Sequence, residues 1–336
     1  MSKNLVLGIE SSCDETAVAV VENGHKVLAS EVASQMDLHS RYGGVVPEVA
    51  SRVHLESLPL LLQEVLRQSQ TTFDDLTGIA VTSAPGLIGA LLVGLSTAKG
   101  LAFRLHLPLA TVHHIEAHLY AAQLDAPPVE FPALGLVVSG GHTEIYHMQG
   151  WGQYRLLAST RDDAAGEAFD KVAKLMGLGY PGGPLIEKLA QGHPDSEDHF
   201  PYSKMKDGSQ DFSFSGLKTA VMLEVRKNPP QGEADLRRLA AKFQNTVRTE
   251  ITNRVRVALE EHKPKSLVMG GGVACNQNLR EALRQVASST GAVLRVPPPK
   301  YCSDNAAMVA GLGAHHLSQG RKAPLSATAM PQASFH

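Results

Sequence analysis

LVLGIESSCDETAVAVV, residues 5–21, and LGLVVSGGHTEIYHM, residues 134–148, decide how this chain is read. In the first, an apolar run (5–9) gives way to the polar turn SSCDET (11–16), and residues 17–21 are apolar again, which predicts a β-hairpin. The second repeats that plan: an apolar run over 134–138, the turn SGGHT (139–143), then EIYHM (144–148). One hairpin in each half makes the chain read as internally duplicated.

A second unit also occurs twice. IAVT (79–82) leads through SAPG (83–86) into an apolar stretch reaching Phe103, and SLVM (266–269) leads through GGG (270–272) into a helical stretch over 276–286. Both set a helix N-terminus beside glycines, where unpaired backbone N–H groups and the helix dipole favour an anion. Two hairpins and two such units predict two related α/β lobes facing a cleft. Between them, Leu236, Ala240, Phe243, Val247, Ile251, Val255 and Leu259 recur every three or four residues, the stripe of an amphipathic helix. Its basic residues, Arg237, Arg238, Lys242, Arg248, Arg254 and Arg256, are partly balanced by Asp235, Glu250 and Glu260, so they read as a solvated face before they read as an RNA contact.

The 336 residues suffice for two domains at roughly 150 residues each. The formal charge of −2 excludes a chain built chiefly to coat nucleic acid or anionic membrane, and leaves room for a local basic patch. Hydrophobic residues at 43% with only 19% charged fit a globular enzyme-like chain. Cys13, Cys275 and Cys302 form no CxxC pair, which suits a reducing compartment, and acidic residues follow the first apolar run too soon for a signal peptide. A cytoplasmic protein is expected. Residues 76–98 carry no charge and are long enough to span a bilayer, but Pro85-Gly86 and five hydroxyl residues read against a span.

The sharpest chemical signal is HIEAH, 114–118. His114 and His118 lie one turn apart on one helix face, close enough to share a metal. A zincin would need its Glu directly after the first His, whereas Glu116 falls on another face; a packing role for the pair, and other pairings using His113, stay open. Asp304 offers a third ligand, or else a helix N-cap. Two histidines and one carboxylate with open positions suit Fe(II), Zn(II) or Mn(II). Ser139-Gly140-Gly141 gives a turn that phosphate oxygens can approach, although neither a P-loop nor a dinucleotide fingerprint is present. Asp170 and Glu187 are candidates for binding hydroxyl or amine donors, or for helix capping, and Asn276 for a nucleotide contact or an N-cap.

Together the segments GIESSCDETAVAVV, YGGVVPEVASRVH, APGLIGALLVGL, HHIEAH, VVSGGHTE, DDAAGEAFDKVAKLMGLGYPGGP, DFSFSGLKTAV, MGGGVACN and CSDNAAM closely resemble the tRNA N6-adenosine threonylcarbamoyltransferase family, once described as O-sialoglycoprotein endopeptidases. The resemblance implies two duplicated α/β lobes of the actin, sugar-kinase and Hsp70 superfamily with a nucleotide-binding cleft between them. The expected division is residues 1–120 with 305–325 as the N-terminal lobe, 121–304 as the C-terminal lobe, and 326–336 as a tail without fixed structure.

The resemblance also implies a reaction: transfer of threonylcarbamoyl from threonylcarbamoyl-AMP to the N6 amine of the adenosine 3′ of the anticodon in tRNAs reading ANN codons. His114, His118 and Asp304 would bind one divalent metal, Fe(II) first. Val137, Val138, Ser139, Gly140 and Gly141 would hold the adenylate phosphate region, and Asp170, Gly183, Glu187 and Asn276 the nucleoside. Asp14 and Glu15 are the candidates for proton handling or substrate positioning. Expected partners are tRNA, the adenylate donor, a degenerate paralogue and a small ATPase, and no membrane. An ATP-dependent small-molecule kinase of the same fold, a metalloprotease, and a non-catalytic nucleotide-binding assembly protein of the Hsp70 type are the competing readings.

Overall fold

The computed structural model describes residues 3–42, 44–193, 198–201, 205 and 207–335. In chain order the elements are β1 (Leu5–Glu10), β2 (Glu15–Glu22), β3 (Lys26–Ser34), α1 (Met36–Ser40), α2 (Pro47–Ser69), β4 (Gly78–Ala84), α3 (Ile88–Leu105), β5 (Leu109–His113) and α4 (His114–Tyr120). There follow β6 (Ala133–Val138), β7 (Thr143–Gly150), β8 (Gln153–Ser159), α5 (Ala165–Leu175), α6 (Gly182–Ala190), α7 (Ser215–Lys227) and α8 (Glu233–His262). Last come β9 (Ser266–Gly270), α9 (Gln277–Ser289), β10 (Val293–Arg295) and α10 (Ala306–Ser318).

The chain forms two units, Met1–Pro128 with Pro297–Phe335, and Val129–Val296. Each holds one five-stranded mixed sheet, in the orders β3-β2-β1-β4-β5 and β8-β7-β6-β9-β10. The pairings match strand for strand. The first three strands of each sheet are antiparallel neighbours, and the first, fourth and fifth run parallel. The duplication read from the two hairpins is therefore a property of the fold.

The expected division differs from the observed units at both crossings. Residues 121–128 continue from α4 through the short turn Ala121–Gln123. Asp125 then accepts hydrogen bonds from the Val27 N–H and the Tyr301 hydroxyl, both at 3.0 Å, so 121–128 and 297–304 stay with the first unit. Nor is 326–335 without structure. Met330 N–H donates to Ser83 O (2.9 Å), Gly86 N–H donates to Pro331 O (3.2 Å), and Lys99 Nζ donates to Ala327 O. The polar loop after β4 thus finds partners in this segment, which composition alone does not reveal; His336 lies outside the described residues.

In the first sheet, side-chain alternation separates two faces. Leu7, Ile9, Ile79 and Val81 join a core with Leu58 and Val65 of α2 and Leu95 of α3. The opposite face carries Gly8 and Ala80, against which α10 lies. A Cβ at Gly8 would sit 2.3 Å from Ala306 O, and one at Gly313 would sit 2.2 Å from the Ala80 side chain. The missing atoms are what let α10 lie so close to the sheet, and this seats the helix start beside β1. By length and composition α3 is apolar enough to cross a membrane. One of its faces, including Ala90, Leu91, Gly94, Leu95, Ala98 and Ala102, is buried within the first unit.

In the second unit α8 realises the sequence stripe: Ala240, Phe243, Val247, Ile251, Val255 and Leu259 are buried. Its basic residues Arg237, Lys242 and Arg254 form ion pairs, and the third of these pairs is buried rather than on a solvated face. Arg237 meets Glu233 at 2.6 Å, Lys242 meets Asp198 at 3.2 Å, and Arg254 meets Glu250 at 2.6 Å.

Candidate metal centre

β5 ends at His113 and α4 begins at His114, so three histidines in six residues receive different tasks from one change of backbone direction. His113 is the N-cap: its Nδ1 accepts from Ile115 N–H at 3.3 Å, and its Nε2–H donates to Ala333 O at 2.8 Å. His114 and His118, one turn apart, face each other, Nε2 to Nε2, at 3.2 Å. Glu116 is buried on another face, 3.8 Å from His316, as its register required.

Asp304 completes the set. The cap of α10 is Asn305, whose Oδ1 accepts from Met308 N–H at 3.0 Å, so Asp304 is not the N-cap of α10. Its Oδ1 lies 3.2 Å from His118 Nε2 and 3.5 Å from His114 Nε2. Donors arranged tetrahedrally at about 2.0–2.1 Å from one zinc-sized ion stand about 3.4 Å apart. The three separations here fall around that value. Two imidazole nitrogens and a carboxylate oxygen therefore form a candidate site for one metal ion, the only such cluster among the described residues.

The sequence reading missed Glu10. This carboxylate is fully buried at the end of β1, with Oε2 3.3 Å from His114 Nδ1. Thr82 Oγ1–H donates to the same oxygen at 2.5 Å, and Ser12 N–H donates to Oε1 at 2.6 Å. Accepting from His114 Nδ1–H, Glu10 makes Nε2 the nitrogen that would give up its proton to an incoming ion; such carboxylate–histidine pairs fix the tautomer of metal ligands. Burial pushes Glu10 up, but the facing imidazole and Thr82 outweigh it and its carboxyl is held below the usual range. Burial likewise pushes His114 down, and Asp304 and Glu10 overcome it, holding the imidazole up at about 9. His118, buried and facing the charge of His114, is held below the usual range. The available signal was an acid closing the otherwise apolar strand LVLGIE.

Asp14 lies in the turn after β1, and Glu15, expected in that turn, is the first residue of β2. Glu15 Oε1 accepts from Ser34 Oγ–H at 2.8 Å, while Oε2 is buried without a partner. Burial, against the Ser34 hydrogen bond and with the charges of Asp14 and Asp304, pushes Glu15 up to about 7.

The remaining candidates belong to the second unit. Val137 and Val138 are fully buried in β6, so their side chains are core and only their backbone can face a ligand. At the carboxyl ends of the parallel strands β6 and β9, the start of α5 and the loop after β9 close in. A Cβ at Gly166 would lie 2.6 Å from Ser139 O, and one at Gly271 would lie 2.4 Å from Val138 O. Gly271 also has φ +93°, a conformation L side chains rarely adopt. Strand carboxyl ends beside helix starts are where open α/β sheets bind ligands. Ser139 Oγ already accepts from the N–H groups of Gly141 (3.3 Å) and His142 (3.0 Å), and Gly140 and Gly141 stand open.

Gly183 and Asn276 stand at helix starts, and Asp170 in the middle of α5 and Glu187 late in α6 each reach the start of another helix. Asp170 Oδ1 accepts from Gly182 N–H at 2.7 Å, next to Gly183 in the first turn of α6, and burial raises its pKa. Glu187 Oε1 accepts from Gln277 N–H at 2.7 Å. Asn276 is the N-cap of α9: Oδ1 accepts from Leu279 N–H and Nδ2 donates to Gln244 Oε1, each at 2.9 Å. The capping alternative is thus realised for Asn276, and Asp170 and Glu187 each spend one oxygen on a helix N-terminus.

Comparison with known proteins agrees with this architecture. The fold is similar to component A of (R)-2-hydroxyglutaryl-CoA dehydratase from Acidaminococcus fermentans, with a TM-score of 0.56 at 15% identity, over 94% of this chain and 99% of that one. It is also similar to full-length HypF in its phosphate- and nucleotide-bound form, with a TM-score of 0.61 at 14% identity, over 93% of this chain and 46% of that one. At such identities the likeness concerns fold alone. In sequence, the chain is 51% identical over 327 residues to a tRNA N6-adenosine threonylcarbamoyltransferase from Geobacter sp. (strain M21), covering 97% of this chain and 95% of that protein. It is 48% identical to the protein of the same name from Listeria innocua, covering 98% and 97%. With the family profile matching residues 26–311, the chain belongs to the TsaD family, tRNA N6-adenosine threonylcarbamoyltransferase.

Proposed function

We propose that this enzyme transfers the threonylcarbamoyl group of threonylcarbamoyl-AMP to the N6 amine of the adenosine 3′ of the anticodon in tRNAs reading ANN codons. The observation that carries the reading is the meeting of His114, His118 and Asp304 in a chain of this family. These three would hold one divalent ion, with Fe(II) our first assignment and Zn(II) or Mn(II) the other ions this donor set accepts. When bound, the ion supplies Lewis-acid stabilisation of charge on a substrate oxygen, commonly worth several kcal/mol.

The chain's own residues do the rest. Glu10 keeps the His114 proton on Nδ1. Ser139, Gly140 and Gly141, with the backbone of Val137 and Val138, receive the adenylate phosphate, and the free oxygens of Asp170 and Glu187, beside Gly183 and Asn276, address the nucleoside. Glu15, with a pKa near neutrality, takes the proton that leaves the N6 amine, and Asp14 orients the acceptor. The exocyclic amine is a weak nucleophile, so aligning it with the donor carbonyl contributes as much as moving its proton.

A near-neutral chain gives little sequence-wide electrostatic grip on RNA, which supports shared tRNA binding with helper proteins, a paralogue of the same fold and a small ATPase. The compartment that supplies these substrates is the cytoplasm. The test is to incubate the protein with threonine, bicarbonate, ATP, a threonylcarbamoyl-AMP synthase, the helpers and unmodified tRNA, then analyse nucleosides by mass spectrometry. Threonylcarbamoyladenosine is the expected product. Its absence with every partner present, or phosphoryl transfer to a small acceptor without tRNA, overturns the proposal.

A further inference from the structure

The segment YGGVVPEVASRVH, 42–54, has no part in the chemistry described so far, yet it delivers a fully buried histidine, His54 on α2, to the turn that leads through Asp14 into Glu15. His54 Nε2 lies 2.9 Å from Cys13 O and His54 Nδ1 lies 2.7 Å from Thr16 Oγ1. A carbonyl only accepts, so Nε2 carries the proton, and Nδ1 accepts from the Thr16 hydroxyl.

A second buried histidine fixes the next link. Val46 N–H donates to His39 Nδ1 at 3.3 Å, so His39 Nε2–H donates to Gln35 Oε1 at 3.1 Å. The Gln35 amide nitrogen is thereby turned toward Ala50 O at 3.4 Å and His54 Nδ1 at 3.5 Å. Every donor in this chain of contacts meets an acceptor with both imidazoles neutral. Burial lowers the His54 pKa, in keeping with that state.

The turn itself has three successive carbonyls pinned from three directions. Ser12 O accepts from Leu87 N–H (2.8 Å), Cys13 O from His54, and Asp14 O from Gln35 N–H (3.1 Å). Two of the three struts are backbone groups that no substitution short of proline removes. The middle one is a side chain. We propose that His54 is a positioning residue, which fixes the Cys13 carbonyl and through it the direction in which Glu15 is presented. This rests on the proposed role of Glu15.

The experiment is a double-mutant cycle on the full enzyme with its helpers, comparing wild type, His54→Phe, Glu15→Gln and the double variant, with His54→Gln as the conservative replacement. Phenylalanine fills the space without a donor; glutamine restores an N–H toward Cys13 O. The expected result is a kcat about 10- to 100-fold lower for His54→Phe, the scale of a small misplacement of reacting groups, with unchanged KM for tRNA and unchanged metal content. His54→Gln recovers most of the loss, and His54→Phe costs nothing further in the Glu15→Gln background. Wild-type kcat in His54→Phe, or an equal proportional loss in both backgrounds, overturns the inference while leaving Glu15 in place. Wild-type kcat in Glu15→Gln overturns the role of Glu15 itself, and the inference with it. Should circular dichroism show His54→Phe unfolded, Thr16→Val, which removes the hydroxyl that orients the ring, carries the same cycle with the same criteria.

Discussion

Replacing Glu10 by Gln keeps the volume of the side chain and removes its charge, and the geometry dictates what happens next. One amide orientation points NH2 at His114 Nδ1, which must then accept. The imidazole proton moves to Nε2, the atom that faces Asp304 and His118, and the ring can no longer ligate without losing it. The other orientation sets NH2 against Ser12 N–H, a donor facing a donor at the 2.6 Å contact now made by Oε1. Either way one charge-assisted hydrogen bond in a buried site is lost, about 1.5–3 kcal/mol. At about 1.4 kcal/mol per factor of ten, that converts to a metal affinity roughly 10- to 100-fold weaker, in line with the loss usual for outer partners of ligating histidines. Competition titration of Zn(II) against a chromophoric chelator, with circular dichroism to confirm folding, measures it. Unchanged affinity in a folded E10Q protein would refute the tautomer argument.

Two further outcomes follow from the packing and the charges. Gly8→Ala sets a methyl group 2.3 Å from Ala306 O, so α10 must move by roughly an ångström; unfolding by denaturant should show a loss of about 1–3 kcal/mol, and metal content should drop with the displacement of Asp304, whereas a wild-type midpoint and full metal loading would contradict the close approach of helix and sheet. Glu15 has a folded pKa of about 7, above its ordinary value of 4.5, so the folded state binds the extra proton and the ionised carboxylate destabilises it as pH rises through that window. Glu15→Gln should therefore raise the melting temperature at pH 8 and leave it near wild type at pH 5, with the opposite ordering counting against the buried, unpartnered Oε2.

Much of this was legible in the residues. The hairpins, the glycine-punctuated strand–helix units and the stripe of α8 follow from period and turn chemistry, which act over a few neighbours and so are written locally. His114 and His118 were legible for the same reason, since helical spacing fixes their common face. What decided among the alternatives was long-range. Whether Asp304 or Asn305 caps α10 depends on which one the sheet turns toward α4. The role of Glu10 appears only when β1 lies beside β4 and Thr82. Asn276, by contrast, was assigned a nucleotide contact by family likeness, while the local rule that Asn favours an N-cap described the side chain as it stands.

The return of α10 to the first unit has a consequence for biogenesis. Glu10, His114 and His118 leave the ribosome before the whole of Val129–Val296, and Asp304 and α10 leave after it. Until then β1 and β4 lack the helix that lies against Gly8 and Ala80, and the candidate metal centre has two of its three residues. The second unit, continuous in sequence, is free to fold while the first waits. A loop that closes only across most of the chain is entropically costly, and a bound ion would help to hold it shut. Metal loading would then report that synthesis has passed residue 304, and a nascent chain interrupted before it would offer an ion two of the three candidate ligands.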